Sequence, residues 1–154
     1  MLSTSLNAQQ AVKERADRGL KVLEAGSGKA EKPLHFAQLE RDFPDLAQFT
    51  LEYSLGDVWS RGVFDPITRQ LVACSAFAAQ GTLEQFKIHA GYALQLGATP
   101  EQLLEVLHLM TVTSGFPRAL NAAQTLKEVL QERGIALPLK RADVPKDSKA
   151  VETK

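Results

Sequence analysis

The density of helix boundaries constrains this chain more than any other feature of its sequence. Asp65-Pro66 sets an acidic N-cap before a proline at the first helical position, where the missing N–H is no loss and the fixed φ suits a helix. Thr82-Leu83-Glu84-Gln85 and Thr99-Pro100-Glu101-Gln102 both read as capping boxes, in which Thr and Gln satisfy orphan backbone donors reciprocally. Gly97 suits the end of a helix, Gly115-Phe116-Pro117 separates two more, and Gly134 follows the last. Alternating β-branched runs with hairpin turns are missing. A chain punctuated in this way folds as an all-α protein.

The pattern predicts about six helices. The first spans about Leu6–Ala25, with Val12, Ala16, Leu20 and Leu23 on one side and charges on the other. The second region begins near Leu34 and includes a helix opened by Pro44 that runs through Leu46, Phe49 and Tyr53 towards Val58. Gly56-Asp57-Val58-Trp59-Ser60-Arg61-Gly62 breaks that pattern. The third helix starts at Asp65-Pro66, and its body Leu71–Ala79 carries no charge, which predicts burial on nearly every side. The fourth opens at Thr82 and ends at Gly97, the fifth opens at Thr99, and the sixth runs from Phe116-Pro117 to Arg133. Residues 1–137 read as one helical domain. Residues 138–154 hold two prolines and many charges without an apolar period, as expected of an extended or disordered tail.

Composition narrows the function classes. Lys plus Arg and Asp plus Glu are both 18 in 154 residues, so there is no basic surplus of the kind that nucleic-acid binders carry. One cysteine, Cys74, excludes intramolecular disulfides and any CxxC motif. Three scattered histidines and one thiol make a structural metal site improbable, so no metal is expected. No apolar run approaches the roughly 20 residues that span a bilayer, and the N-terminus lacks an apolar signal region, so the expectation is a cytoplasmic protein with no membrane partner. Gly28-Lys29 is not a phosphate loop, since Leu23 and Ala30 stand at two of that motif's obligatory positions.

Local conflicts point to candidate site residues, because functional sites tend to break local rules. Arg69 lies in the first turn of the third helix, where the macrodipole disfavours a cation. It is either an anion-binding group or a surface arginine paired with a carboxylate such as Asp65. His89 lies midway along the fourth helix, at the edge of a stripe of Leu83, Phe86, Ala90, Ala93 and Gly97 and in a row with Gln85, Tyr92 and Leu96. It is either a half-buried histidine satisfied by a neighbour or a proton-transfer group. Trp59 and Arg61, in the irregular segment, could line an anionic pocket. Gln70 and Cys74 stand one turn apart on the third helix, where Cys74 is expected to be buried. His108, on an otherwise apolar helix, is expected in the core.

These residues also carry a resemblance. Gly56-Asp57-Val58-Trp59-Ser60-Arg61, followed by Phe64-Asp65-Pro66-Ile67-Thr68-Arg69-Gln70-Leu71-Val72, resembles the central signature of the carboxymuconolactone decarboxylase family. The likeness continues through Gly81-Thr82-Leu83-Glu84, His89, Gly97-Ala98-Thr99-Pro100-Glu101-Gln102, Gly115-Phe116-Pro117 and Ala119-Leu120-Asn121-Ala122. It implies an alkylhydroperoxidase-D-like helical fold and a homo-oligomer, commonly a trimer or hexamer. Of the family's two chemistries, the thiol peroxidase requires a CxxC pair, and here Thr82 and Gln85 occupy those positions. The other chemistry decarboxylates a small carboxylated lactone of aromatic catabolism without a cofactor.

On that resemblance His89 and Arg69 would be catalytic, Arg61, Trp59, Gln70 and Cys74 would bind the substrate, and the ligand would be a small organic anion. The sequence departs from the pattern at Gly91, where the lactone decarboxylases carry arginine, at Gln70, where many members carry Glu, and at Thr113, where tyrosine is frequent. A diverged member that binds a small anion without turnover is the alternative. A peroxide-reducing protein that lacks the CxxC pair is a further one.

Overall fold

A computed structural model describes residues 2–139, with side chains from Asn7 onward. The elements are α1 (Leu2–Ser27), α2 (Leu34–Asp42), α3 (Pro44–Phe49), a π-helix (Thr50–Trp59), α4 (Pro66–Gln80), α5 (Leu83–Gln95), α6 (Pro100–Thr113) and α7 (Phe116–Glu132). No strand occurs among the described residues, so the all-α class holds. The second region contains more than the sequence shows: α2 and α3 are separate helices, split at Phe43 by the proline that follows it.

Helices α4–α7 pack around the larger core. Phe86, Leu103, Met110 and Leu130 are its largest fully buried side chains, and Cys74, Ala78, Ala90, Ala93 and Ala122 let the helices come close. Leu23, Phe36 and Ala47 form a smaller core in the N-terminal region, with Leu39, Leu51 and Leu55 against it. Here α1 lies along the π-helix at backbone contact. A Cβ on Gly19 would stand 2.1 Å from the Leu51 carbonyl oxygen, and one on Gly56 would stand 2.2 Å from the Arg15 carbonyl oxygen. Gly56 therefore does not end a helix. It is buried inside the π-helix because only a residue without Cβ allows the two backbones to touch.

Several expectations need correction. Thr99 and Gln102 form the reciprocal capping box, but Thr82 does not cap α5. Gly81 ends α4 in the left-handed region (φ 79°), and the turn is so tight that the Thr82 backbone N–H and hydroxyl both donate to the Phe77 carbonyl. Its side chain is thus used on the last turn of α4. The charge-free body of α4, Leu71–Ala79, is not buried all round: Cys74 and Ala78 face the core with Gln70, whereas Val72 on the other side is 53% exposed. Absence of charge reported small residues, not enclosure. His108 is exposed, with Nδ1 3.2 Å from Glu105, because α6 buries the stripe of Leu103, Leu107 and Met110 beside it. Of the expected tail, Leu139 still packs against the larger core, and the remainder from Lys140 lies outside the described residues.

Candidate functional site

The site forms where the two cores meet. The chain leaves α3 without a break and widens into the π-helix, whose i→i+5 pattern closes with the Ser60 N–H on the Leu55 carbonyl at 3.0 Å. Inserted π-helical turns re-aim the side chains that follow them. Here the turn ends on Trp59, the protein's one tryptophan, and lays its indole against His89 of α5 with 5.0 Å between centroids and 24° between planes.

Three further groups enclose the imidazole. Phe77 of α4 lies 4.9 Å away, and Tyr92, one turn along α5, presents its edge at 5.9 Å. Gln70 of α4 places Oε1 2.7 Å from His89 Nδ1. An amide oxygen only accepts, so Nδ1 carries the proton and Nε2 holds the lone pair. Burial pulls the His89 pKa down to about 4, with the imidazole of His35 adding a smaller effect in the same direction. The residue is therefore neutral at pH 7. Beyond it the Tyr92 hydroxyl lies 3.4 Å from His35 Nε2, and burial raises that phenol to about 12, so it stays protonated. Of these groups Phe77 and His35 had no signal in the sequence. Tyr92 shares the His89 row on α5, a periodicity that could have placed it.

Arg69 resolves its sequence conflict in a way that neither reading anticipated. Its two terminal nitrogens donate to four backbone carbonyls: Val58 at 3.1 Å, Phe64 at 3.2 Å, and those of Trp59 and Arg61. Val58 and Trp59 lie at the C-terminal end of the π-helix, where carbonyls lack helical partners and the dipole is negative. The guanidinium is disfavoured by the start of α4 and favoured by the end of the π-helix. Asp65 instead caps α4, accepting from the Thr68 N–H and hydroxyl. Arg69 thus pins the Val58–Phe64 segment and, with it, Trp59.

Two hollows adjoin this segment. One, of about 460 Å³, is lined by Val58, Trp59, Val63, Phe64, Val72 and Ala76 with Arg61 and Arg69. The other, of about 360 Å³, lies between α1 (Val22, Ala25, Gly26), residues 59–62 and the start of α4, including Gln70. Arg61 reaches both, and its side chain makes no ion pair or hydrogen bond among the described residues. His89 is not on the wall of either; it lies one layer behind Trp59 and Gln70. Cys74 is set apart from the other candidates. It is fully buried in the larger core, and burial raises its thiol to about 12, so no thiolate is available for peroxide chemistry. Among the described residues no group of three or more His, Cys, Asp or Glu side chains is arranged to hold a metal ion, and no helix is long and apolar enough to cross a membrane.

Comparison with known proteins places this geometry. Residues 44–128, which include the π-helix, Arg69, Gln70 and His89, match the model of the carboxymuconolactone decarboxylase family. The chain is 26% identical over 123 residues to 4-carboxymuconolactone decarboxylase of Acinetobacter baylyi, covering 80% of this chain and 92% of that one. It is 28% identical over 96 residues to an uncharacterized 15.0 kDa protein of Paracoccus denitrificans from the nqo9-nqo10 intergenic region, covering 61% of this chain and 72% of that one. With more than half its length matched, and with the histidine held between the π-helical tryptophan and the α4 glutamine, the chain belongs to the carboxymuconolactone decarboxylase family.

Proposed function

We propose that the protein is a cofactor-independent carboxy-lyase acting on a small carboxylated lactone or a related organic acid. The observation that carries this reading is the state of His89: neutral, fixed at Nδ1 by Gln70, and unpartnered at Nε2. Loss of carbon dioxide breaks one C–C bond and leaves an electron pair. In a conjugated lactone that pair moves onto the ring carbonyl, and the carbon beside it later takes a proton from solvent. No metal or organic cofactor is needed as a sink. His89, one layer behind the hollow wall, relays that proton from solvent through Nε2 without itself touching the substrate, an effect typically worth about 10²–10⁴-fold. Trp59 screens the imidazole from bulk water. Arg61, with its guanidinium uncommitted, receives the anionic groups of the substrate. Arg69 acts by holding the segment that carries Trp59 and Arg61.

A homo-oligomer, a trimer or hexamer, fits the same reading. Leu109, Val112, Phe116 and Leu120 leave apolar surface on α6 and α7, with Val112 87% exposed. Light scattering on the purified chain tests this, and a monomer at micromolar concentration would refute it. The expected site of action is the cytoplasm.

The catalytic test is carbon dioxide release from 4-carboxymuconolactone by the wild type and His89→Ala. A fall in kcat of about 10²–10⁴-fold supports the assignment; unchanged turnover removes His89 from the mechanism. A second reading, a diverged member that binds a small anion without turnover, is favoured by the commitment of Arg69 to backbone carbonyls and by Gly91. It predicts saturable binding of the lactone with no gas released.

A further inference from the structure

Gln70 is the one buried polar side chain of the described core, at 5% exposure. Its Oε1 is engaged by His89, yet its Nε2 has no protein partner among the described residues. Among the described residues only Arg15 Nε is a sealed side-chain polar atom without a partner, so Gln70 Nε2 is not closed off. Gln70 belongs to the wall of the smaller hollow, and its amide carries two N–H donors that no described residue engages. The hollow has Arg61 on its wall as well, and its one carboxylate, Asp65, is occupied by Thr68.

We propose that Gln70 is a substrate-contacting residue that selects hydrogen-bond acceptors: Oε1 fixes the His89 Nδ1–H, and Nε2 donates to a carboxylate or lactone carbonyl lodged in the smaller hollow. The assignment deepens the lyase reading and rests on its choice of substrate site. The chemistry at position 70 is decisive, because Gln and Glu have the same shape. Glu would keep the bond to His89, but its second oxygen would face the ligand as an acceptor and, when ionised, as a like charge. Gln turns the same position into a donor. This chain is thereby suited to an anionic or carbonyl-bearing ligand at a point where a glutamate would repel one.

The test uses the full-length protein at pH 7.5 and muconolactone as probe, which carries the lactone carbonyl and one carboxylate but lacks the carboxyl group that would leave. Calorimetric titration is compared for the wild type, Gln70→Glu and Gln70→Met, with 15N NMR of the His89 ring in each. The wild type binds and shows a protonated Nδ1 with a bare Nε2. Gln70→Glu keeps that tautomer and weakens binding by about tenfold or more, since a donor to a charged group is replaced by a repelling oxygen. Gln70→Met weakens binding and frees the ring to populate both tautomers, which keeps the test open if a buried glutamate prevents folding. Equal probe affinity in the wild type and the variants overturns the assignment, as does no binding by the wild type or a proton on Nε2. Carbon dioxide release separates the two readings. Probe binding that depends on Gln70, without turnover of 4-carboxymuconolactone, sinks the lyase and leaves Gln70 in place. Turnover with KM unchanged in Gln70→Glu does the reverse.

Discussion

In the α4–α7 half, helices are locked through side chains, with large ones such as Phe86, Leu103 and Met110 set among small ones such as Ala78 and Ala90. In the α1–π-helix half, the buried hydrophobic side chains among the described residues are Leu23, Phe36 and Ala47, and the helices meet through glycines at backbone contact. The first arrangement tolerates small adjustments because side chains can repack. The second does not, because carbonyl oxygens belonging to two hydrogen-bonded helices cannot move aside independently. The candidate site takes one part from each half: Trp59 from the close-packed backbone pair, Gln70 and His89 from the side-chain core. Its geometry therefore depends on both modes of packing.

The largest expected effects test that contrast. Leu103→Ala should cost about 2–5 kcal/mol in chemical denaturation, through lost burial and a residual cavity, and should leave Trp59 emission unchanged. Gly56→Ala should cost about 3 kcal/mol and also shift Trp59 emission, because the new methyl must displace the Arg15 backbone or the π-helix. Equal fluorescence responses in the two variants would erase the distinction between the halves.

The next effect is a pH dependence centred on the seam. His89 has a pKa of about 4 when folded and an ordinary value of 6.5 when unfolded, so the unfolded state takes up the proton first. Stability attributable to His89 is fully present above pH 6.5 and falls as the pH drops towards 4, by about 3 kcal/mol in all. His35, whose pKa is also lowered by burial, adds in the same direction. Denaturation midpoints measured between pH 7.5 and 4 should lose most of this slope in His89→Gln. A slope unchanged by that substitution would place the titrating group elsewhere.

The smallest effects sharpen the account of the helix ends. Thr99→Ala breaks a reciprocal cap and should cost about 1 kcal/mol. Thr82→Ala removes only a hydroxyl bond to the Phe77 carbonyl and should cost about 0.5 kcal/mol. If the two substitutions cost the same in thermal unfolding, Thr82 caps α5 in solution after all.

Much of the α4–α7 half could be read without coordinates. Asp65-Pro66, the Thr99–Gln102 box and the Leu103, Leu107, Met110 stripe are local signals, made by residues within a turn or two of each other. The N-terminal half was harder to read because its decisive residues are glycines, and a glycine that marks a turn has the same letter as one that admits a neighbouring backbone. Among the site residues, Arg69, Gln70, His89 and Trp59 stood out from the sequence, but their partners did not. The four carbonyls that hold Arg69 carry no side-chain signature, and Phe77 had no mark to separate it from other core aromatics.

The sequence by itself determined the helical class, the main boundaries and the absence of a redox thiol pair, since caps, proline positions and residue identity act within a few residues or require no geometry at all. Only the tertiary structure decided that Arg69 ends a π-helix, that Cys74 is sealed in the core, and that Gln70 faces both a histidine and a hollow. Each of those outcomes depends on where a distant segment places a carbonyl, an aromatic face or an open space. Such long-range placement is set by the packing of whole helices, which the spacing of residues along a single helix does not encode.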